Sequence, residues 1–259
     1  MTFLQGPQEA YAGNNAKRHI GFGGGWEVGG LRDRGISPLY YSGHHALARA
    51  GYYYISDSTL AGISTNFSWG RIIPAIYPGP DGSEMKSIRG SLDFRLLRYA
   101  GNLFGEKIRL HAGGTMASSF GFYEHNNLMN SARKSYSFST INVTGSLSGD
   151  INITGRDFRV SFTAGIPVLS FIVRPAHSYI KPDGFLDHNT GKLRSLFSSI
   201  ETASMKSYTG AGTEISVEHT LDSGNKVRLA YRWQYSDHRS VNRLETGMHG
   251  ISVKTLFSL

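Results

Sequence analysis

Residues 226–236, KVRLAYRWQYS, place an apolar or aromatic side chain at every second position, from Val227 to Tyr235. Charged, polar or small side chains occupy the positions between them. Successive side chains of a β-strand point to opposite faces, so this alternation predicts a strand whose two faces meet different solvents. Residues 251–259, ISVKTLFSL, repeat the pattern up to Leu259. The two stretches predict neighbouring strands that are apolar on one side.

The composition favours β-structure over long helices. Of the 259 residues, 32 are glycine and 12% are aromatic, which suits short turns and pleated surfaces. No run approaches the roughly 20 apolar residues that a membrane helix needs, so any crossing of a bilayer would use alternating strands. The absence of cysteine excludes disulfides, thiolate metal sites and cysteine nucleophiles.

The N-terminal residues and the net charge limit the location and the partners. Residues 1–9 contain neither a basic start nor an apolar run, and therefore no secretory signal. An extracytoplasmic location requires that a signal was removed or that the sequence belongs to a longer chain. The formal net charge of +8 would suit nucleic acid or anionic lipid headgroups, but its spread along the chain favours neither, and we expect no nucleic-acid partner.

Alternation of this kind recurs along the chain and predicts ten strands. We place them at residues 19–31, 45–55, 61–69, 88–96 and 107–123, in a sixth strand that ends near 154, and at 158–173, 208–221, 227–236 and 251–259. Tyr136 and Phe138 are out of phase with the sixth strand, so we expect a bulge or a loop end near Ser139. The glycine-rich stretch 21–25, GFGGG, is expected to make room for large neighbours inside the fold.

The connections between these strands alternate between long and short. In an up-and-down barrel, consecutive connections lie at opposite rims, so the tight turns all fall at one rim. The sequence therefore predicts an all-β, ten-stranded antiparallel up-and-down transmembrane β-barrel at residues 19–259, with short periplasmic turns and longer extracellular loops. Residues 1–18 form a polar N-terminal lead. A water-soluble barrel or sandwich, with its apolar face turned inward, stays the alternative.

The strand and loop rhythm, together with the ending VKTLFSL at 253–259, resembles bacterial outer-membrane β-barrel proteins. The terminal strand of that family usually ends in an aromatic residue, whereas here Phe257 lies two positions before the end. The segment 37–43, SPLYYSG, is similar to segments of small uncharacterised outer-membrane proteins of Bacteroidota. The resemblance implies an outer-membrane location, contact with outer-membrane lipid and lipopolysaccharide, other outer-membrane proteins as partners, and neither cofactor nor metal.

If the apolar face meets lipid, the other face fills the lumen with charge. A ten-stranded barrel is only slightly wider than the eight-stranded barrel that side chains fill, so we expect ion pairs to close the lumen; a narrow anion-preferring pore is the alternative. The predicted lumen network comprises Glu27, Arg49, Arg89, Asp93, Arg95, Arg109, Glu214, Glu218, Arg228 and Arg232. Aromatic residues suited to lipid or to the membrane interface are Trp26, Trp69, Trp233, Tyr235 and Phe257.

Two Asp-His pairs are candidates for general-base chemistry on water: Asp187 with His188, and Asp237 with His238. The chain resembles omptins, which are ten-stranded outer-membrane proteases, in strand number and in an Asp and His pair in the fourth outer loop. In this sequence Asp187 and His188 are adjacent rather than separated by one residue. Asp81, in the second outer loop, also lacks an acidic partner at the family spacing.

Leu193, Leu196, Phe197 and Ile200 recur at the helical period in the connection 174–206. They predict a short helix that either covers the barrel mouth or docks a partner. The expected function is that of a non-catalytic accessory or structural subunit that binds partners or surface ligands through its extracellular loops. The first alternative is a small pore, and the second is a hydrolase with its catalytic residues at the outer rim.

Overall fold

The computed structural model describes residues 16–34, 39–75, 84–105, 107–125, 133–173, 200–204, 206–239 and 242–259. These residues form strands joined by turns. The strands are β1 Lys17–Asp33, β2 Tyr41–Ile55, β3 Thr59–Pro74, β4 Met85–Leu103, β5 Ile108–His125, β6 Arg133–Ile153, β7 Arg156–Val173, β8 Glu201–Ala203, β9 Tyr208–Thr220, β10 Lys226–His238 and β11 Leu244–Ser258. No helix among the described residues is long and apolar enough to cross a membrane.

All eleven strands belong to one antiparallel sheet that closes on itself. Strands adjacent in the sequence pair along the wall, and β1 pairs with β11 to complete the cylinder. The short β8 pairs with residues 170–172 of β7, and β9 pairs with residues 158–165 of the same strand. The segments β8 and β9 therefore act as one wall strand, and the predicted closed barrel of ten antiparallel strands is confirmed.

The seam between the first and last strands is fully paired. Its register runs from His19 opposite Ser258 to Asp33 opposite Leu244. The closing strand thus joins the segment 19–31, as the alternation of the two strands predicts. Because hydrogen bonds follow the whole seam, neither strand presents an open edge along it.

Glycines in β1 allow the two seam strands and large lumen side chains to approach closely. A Cβ atom on Gly23 would lie 2.3 Å from the carbonyl oxygen of Val253, a contact that the backbone can relieve only by shifting. A Cβ atom on Gly21 would lie 2.6 Å from Leu256 and 3.0 Å from the ring of Tyr53. The expectation that this glycine-rich stretch makes room for large neighbours is confirmed.

The strand ends define two rims. The turns at one end, which we call the short-turn rim, are 56–58, 104–107, 154–155 and 221–225. The opposite strand ends, which we call the loop rim, are joined by the connections 34–40, 75–84, 126–132, 174–200 and 239–243. The predicted alternation of connection lengths therefore separates the barrel into two different ends.

The bulge expected near Ser139 lies two residues away, and the extra residue belongs to the neighbouring strand β7, not to β6. β6 pairs with β5 without a register shift, whereas β7 bulges at Val168 opposite the Ile141–Asn142 step. Tyr136 and Phe138 simply continue the lumen-facing phase of β6 towards the loop rim. The prediction of a break in β6 failed because the lumen is lined by apolar side chains at this height. The lumen-facing positions therefore change from polar to apolar although the strand continues.

The outer surface of the wall is apolar, which is the reverse of a water-soluble barrel. Phe22, Trp26 and Ile251 are each more than half exposed, at 57%, 54% and 57%. Phe257 lies opposite Ile20 of β1, and Tyr235 reaches the level of Gly30 through the neighbouring strand. The ten residue steps from Ile20 to Gly30, at about 3.3 Å each and tilted by about 40°, rise about 25 Å, the height of a transmembrane barrel's apolar band.

Candidate functional site

An apolar layer fills the lumen at the loop rim. Tyr136 and Phe138 stack with ring centroids 4.9 Å apart, Phe138 contacts Tyr208 at 5.6 Å, and the Tyr123 hydroxyl donates to that of Tyr136 over 2.9 Å. The layer consists of Leu31, Tyr41, Ile72, Met85, Tyr123, Tyr136, Phe138, Ile172, Ala203, Tyr208 and Leu244, all buried. Sequence reasoning missed this layer; the detectable sign was that apolar residues take the lumen phase next to the long connections.

Arg89 crosses the lumen below this layer. Its Nη2 donates to Glu27 Oε2 over 3.4 Å, and the two side chains are only 10% and 12% exposed. The guanidinium also contacts the sulfur of Met248. A Cβ atom on Gly29 would lie 2.9 Å from Arg89 Nη2, so the glycine leaves space for this cation.

A chamber of about 1230 Å³ occupies the half of the lumen next to the short-turn rim. A smaller cavity of about 210 Å³ lies between the chamber and the apolar layer. Both cavities are lined by Asp93, Arg95, Glu214 and Arg232, so the two spaces meet at these side chains. The lumen is therefore wide and polar over one half and blocked by apolar side chains at the loop rim.

Carboxylates bind the cations of the chamber, both between neighbouring strands and across the lumen. Glu218, whose side chain is 6% exposed, accepts from Lys226 Nζ over 2.7 Å and from Arg228 Nη2 over 2.6 Å. Two longer ion pairs span the lumen, Arg49 with Glu214 and Arg232 with Asp93, each at 3.6 Å. These links involve four strands, β2, β4, β9 and β10, so they tie the wall together from inside.

All ten residues of the predicted lumen network line these two cavities. Most of these ten residues form ion pairs with other members of the network. Arg109 instead pairs with Asp57, an exposed residue at the short-turn rim that was not in the predicted network. Sequence reasoning did not include Lys226 or Tyr53 in the network. Lys226 lies two positions before Arg228 and therefore faces the same side of β10. Tyr53 accepts a hydrogen bond from Lys254 over 2.6 Å.

Asp237 and His238 do not face each other. Asp237, whose side chain is 1% exposed, accepts from Arg239 Nε and Arg243 Nε, both over 2.8 Å, and this hydrogen bonding raises the pKa of Arg243. His238 lies on the other face of the strand, with its ring edge-on to Phe138 and its Nε2 3.4 Å from Glu201. The carboxylate therefore binds arginines and does not orient the imidazole.

The other candidate pair and most of the predicted loop helix lie outside the described residues. These are Asp187, His188, Leu193, Leu196 and Phe197. Ile200 is half-buried and directly precedes β8. Among the residues that the structure describes, no three His, Asp or Glu side chains cluster in a way that suits a metal ion.

The five predicted interface aromatics lie on the outer face in two groups. Trp26 and Trp69 flank Ala46 from the two neighbouring strands. Through β11, Trp233 and Tyr235 align with Val28 and Gly30, two and four register positions closer to the loop rim than Trp26, and Phe257 lies near the short-turn rim. Aromatic side chains at both ends of the apolar band are typical of membrane barrels.

Comparison with solved structures finds outer-membrane barrels. The outer membrane protease OmpT from Escherichia coli is 8% identical over 97% of this chain and 99% of its own, with a TM-score of 0.51. The translocator domain of the autotransporter NalP from Neisseria meningitidis is 10% identical over 93% and 88%, with a TM-score of 0.36. A FadL homologue from Pseudomonas aeruginosa is 8% identical over 93% and 90%, with a TM-score of 0.32.

No protein-family model and no curated protein matches the sequence. At 8% identity the similarity to OmpT shows the fold alone. The chain thus has the outer-membrane β-barrel fold, in which the charged network lies inside and the apolar belt outside. The similarity to Bacteroidota proteins stays a prediction.

Proposed function

We propose that the protein resides in the bacterial outer membrane as a non-conducting barrel without catalytic activity of its own. It serves as an accessory or structural subunit and binds partner proteins or surface ligands through the connections of the loop rim. The observation that carries this proposal is the blocked lumen. Eleven buried residues form the apolar layer at the loop rim, and Arg89 with Glu27 crosses the lumen beneath it.

The outer belt supports the location. A contiguous apolar surface far larger than a few hundred Å² is not tolerated on a monomer in water, and lipid is the solvent that covers it without cost. The protein should therefore need detergent or lipid to stay folded and monomeric. A folded monomer in detergent-free buffer, detected by sedimentation, would contradict the outer-membrane location.

Conductance tests the closed lumen. Purified protein reconstituted in a planar bilayer should give no discrete current steps at moderate voltage, since ions cannot pass the apolar layer. Regular, voltage-reproducible steps would favour the second candidate, a small pore. That candidate has one observation in its favour, the chamber of about 1230 Å³ that already opens half of the lumen.

The accessory role rests on the asymmetry of the rims. Four tight turns stand at one end, whereas the connections at the other reach the length of 174–200. Long loops on a rigid scaffold are where recognition residues concentrate. Cross-linking in intact cells should capture a defined outer-membrane protein, and replacing residues 178–196 by a short Gly-Ser linker should abolish that product. An unchanged product with the shortened loop would refute the role of this connection.

A lipopolysaccharide contact is part of the same proposal. Arg71 at the loop rim is 70% exposed at its side chain and points out of the wall beside Glu84. A cation at that level is placed for the phosphates of an outer-leaflet headgroup. Co-purified lipopolysaccharide should decrease in Arg71→Gln relative to the wild type when both are prepared in the same detergent.

A further inference from the structure

The chamber has more positive than negative charge. Its lining contains ten Lys and Arg side chains and seven carboxylates, a formal excess of three. Nine of these residues are buried or half-buried and carry that excess, and we call them the inner group: Arg49, Arg95, Lys226, Arg228, Arg232 and Lys254 with Asp93, Glu214 and Glu218. The other eight are exposed or pair with exposed carboxylates and are balanced, four against four: Lys17, Arg109, Arg156 and Arg159 with Asp57, Asp150, Asp157 and Asp222.

The three inner carboxylates are already engaged. Glu218 forms ion pairs with Lys226 and Arg228. Glu214 pairs with Arg49, and Asp93 pairs with Arg232. Each carboxylate therefore already binds at least one cation at close range, and Glu214 attracts Arg95 and Lys254 only over a longer distance.

Two cations of the inner group form no close ion pair with a carboxylate among the described residues. Arg95 makes no hydrogen bond or close ion pair within that part of the chain, and it shares the electrostatic attraction of Glu214 with Arg49. Lys254 donates to the Tyr53 hydroxyl over 2.6 Å and lies 4.8 Å from the centre of its ring, which are neutral contacts. Arg49, 4% exposed at its side chain, also has an Nε without a hydrogen-bond partner in the described chain.

An uncompensated cation inside a barrel wall is costly unless an anion approaches it. Low-dielectric walls focus the field of such a group and raise the local concentration of anions. The planar guanidinium fork is suited to the paired oxygens of a phosphate or carboxylate. The chamber is lined by residues of the short turns, and among the described residues the apolar layer separates it from the loop rim, so an anion would enter from the short-turn rim.

We propose that the chamber is a binding site for a small polyvalent anion bearing phosphate or carboxylate groups, held by Arg95, Lys254 and Arg49. The ligand enters from the short-turn rim and neutralises the formal excess of three. This site does not depend on the proposed accessory role, since it lies at the opposite end of the barrel. The conductance and cross-linking experiments can refute the accessory role while anion binding is still observed. Equally, the absence of anion binding would leave the accessory role untouched.

Isothermal titration of the folded protein in detergent micelles tests the proposal. Inorganic pyrophosphate and citrate are titrated separately into the same preparation at constant ionic strength set by sodium chloride. Saturable binding of pyrophosphate alone, of citrate alone or of both supports the site and identifies the preferred oxyanion. If neither anion binds the wild type, water and chloride suffice for these cations, and the proposal is wrong.

Two variants locate the binding. Arg95→Gln and Lys254→Met should each lower the affinity for the anion by roughly tenfold or more, the factor expected for the loss of one charge-assisted hydrogen bond. Lys86→Gln is the matched control, because it removes one positive charge from an exposed side chain near the other rim, and Lys86 lines neither cavity. Equal affinity in all four proteins would overturn the proposal, since the anion would then bind elsewhere.

A chemical readout covers the case in which these variants fold poorly. The chain contains no cysteine, so Ser216→Cys introduces one thiol into the chamber wall, where the serine side chain is buried. A negatively charged methanethiosulfonate should modify it faster than a positively charged one of similar size, and pyrophosphate should slow the reaction. A faster reaction with the cationic reagent, or no protection, would contradict an anion site.

Discussion

The buried ion cluster of Glu218 allows a quantitative test of what holds the lumen together. Glu218→Gln keeps the shape of the side chain but removes its charge, leaving Lys226 and Arg228 without a counter-ion. Both hydrogen bonds to these cations are short, at 2.7 and 2.6 Å, and Glu218 is 6% exposed. Removing one member of a buried ion pair costs about 3–5 kcal/mol, so the variant should lose that much of its free energy of unfolding.

The matched control is the ion pair of Asp150 with Arg159, which has two good hydrogen bonds of 2.8 and 3.0 Å but lies at the rim. Asp150 is 56% exposed, so Asp150→Asn should cost no more than about 1 kcal/mol. Urea unfolding from lipid vesicles, followed by tryptophan fluorescence, measures both free energies. Equal losses in the two variants would refute the argument that burial in the lumen sets the strength of the network.

Three further changes test the wall and the lumen. Gly23→Ala should destabilise the barrel by about 1–3 kcal/mol in the same unfolding assay, because its methyl group would meet seam backbone, whereas Gly145→Ala, with nothing within 4 Å of the new carbon, should be close to neutral. Leu229→Arg should cost about 2–4 kcal/mol in lipid, because the side chain is on the outer face; an unchanged stability would contradict a lipid-facing position. Tyr136→Ala combined with Phe138→Ala should produce current steps in a planar bilayer, and a silent double variant would show that the apolar layer is not the barrier.

The barrel was predictable because its physical signal is strong and repeated. Alternation along 226–236 identifies a two-faced strand, and the tight turns fix which strand ends share a rim. Arg228 and Arg232 fall into the lumen by the same periodicity. Strand number and lumen membership therefore follow from local pattern, which each segment carries within itself.

The partners of the lumen charges were beyond such reasoning. Asp93 reaches Arg232 across the barrel, and Arg49 reaches Glu214, over separations along the chain that no local pattern encodes. The apolar layer was missed for a related reason. The phase change at Tyr136 suggested a bulge, because the assumption of a uniformly polar lumen left no place for an aromatic side chain there.

The catalytic candidates show the limit of pairing by proximity in sequence. Asp237 and His238 are neighbours in the chain, but adjacent residues of a strand point to opposite faces. One binds arginines and the other packs against an aromatic ring. For the site as a whole, sequence supplied the charged residues, and the closed geometry decided which of them meet.

The central claim is that the apolar face of the wall meets lipid and the polar face meets the lumen. Leu229 and Ala230 are neighbours in β10, with 51% and 4% of their surfaces exposed. A single cysteine at each position, labelled with an environment-sensitive dye in vesicles of brominated lipid, compares the two faces directly. Strong quenching at Leu229→Cys with little at Ala230→Cys is predicted, and the opposite order would contradict the inverted barrel.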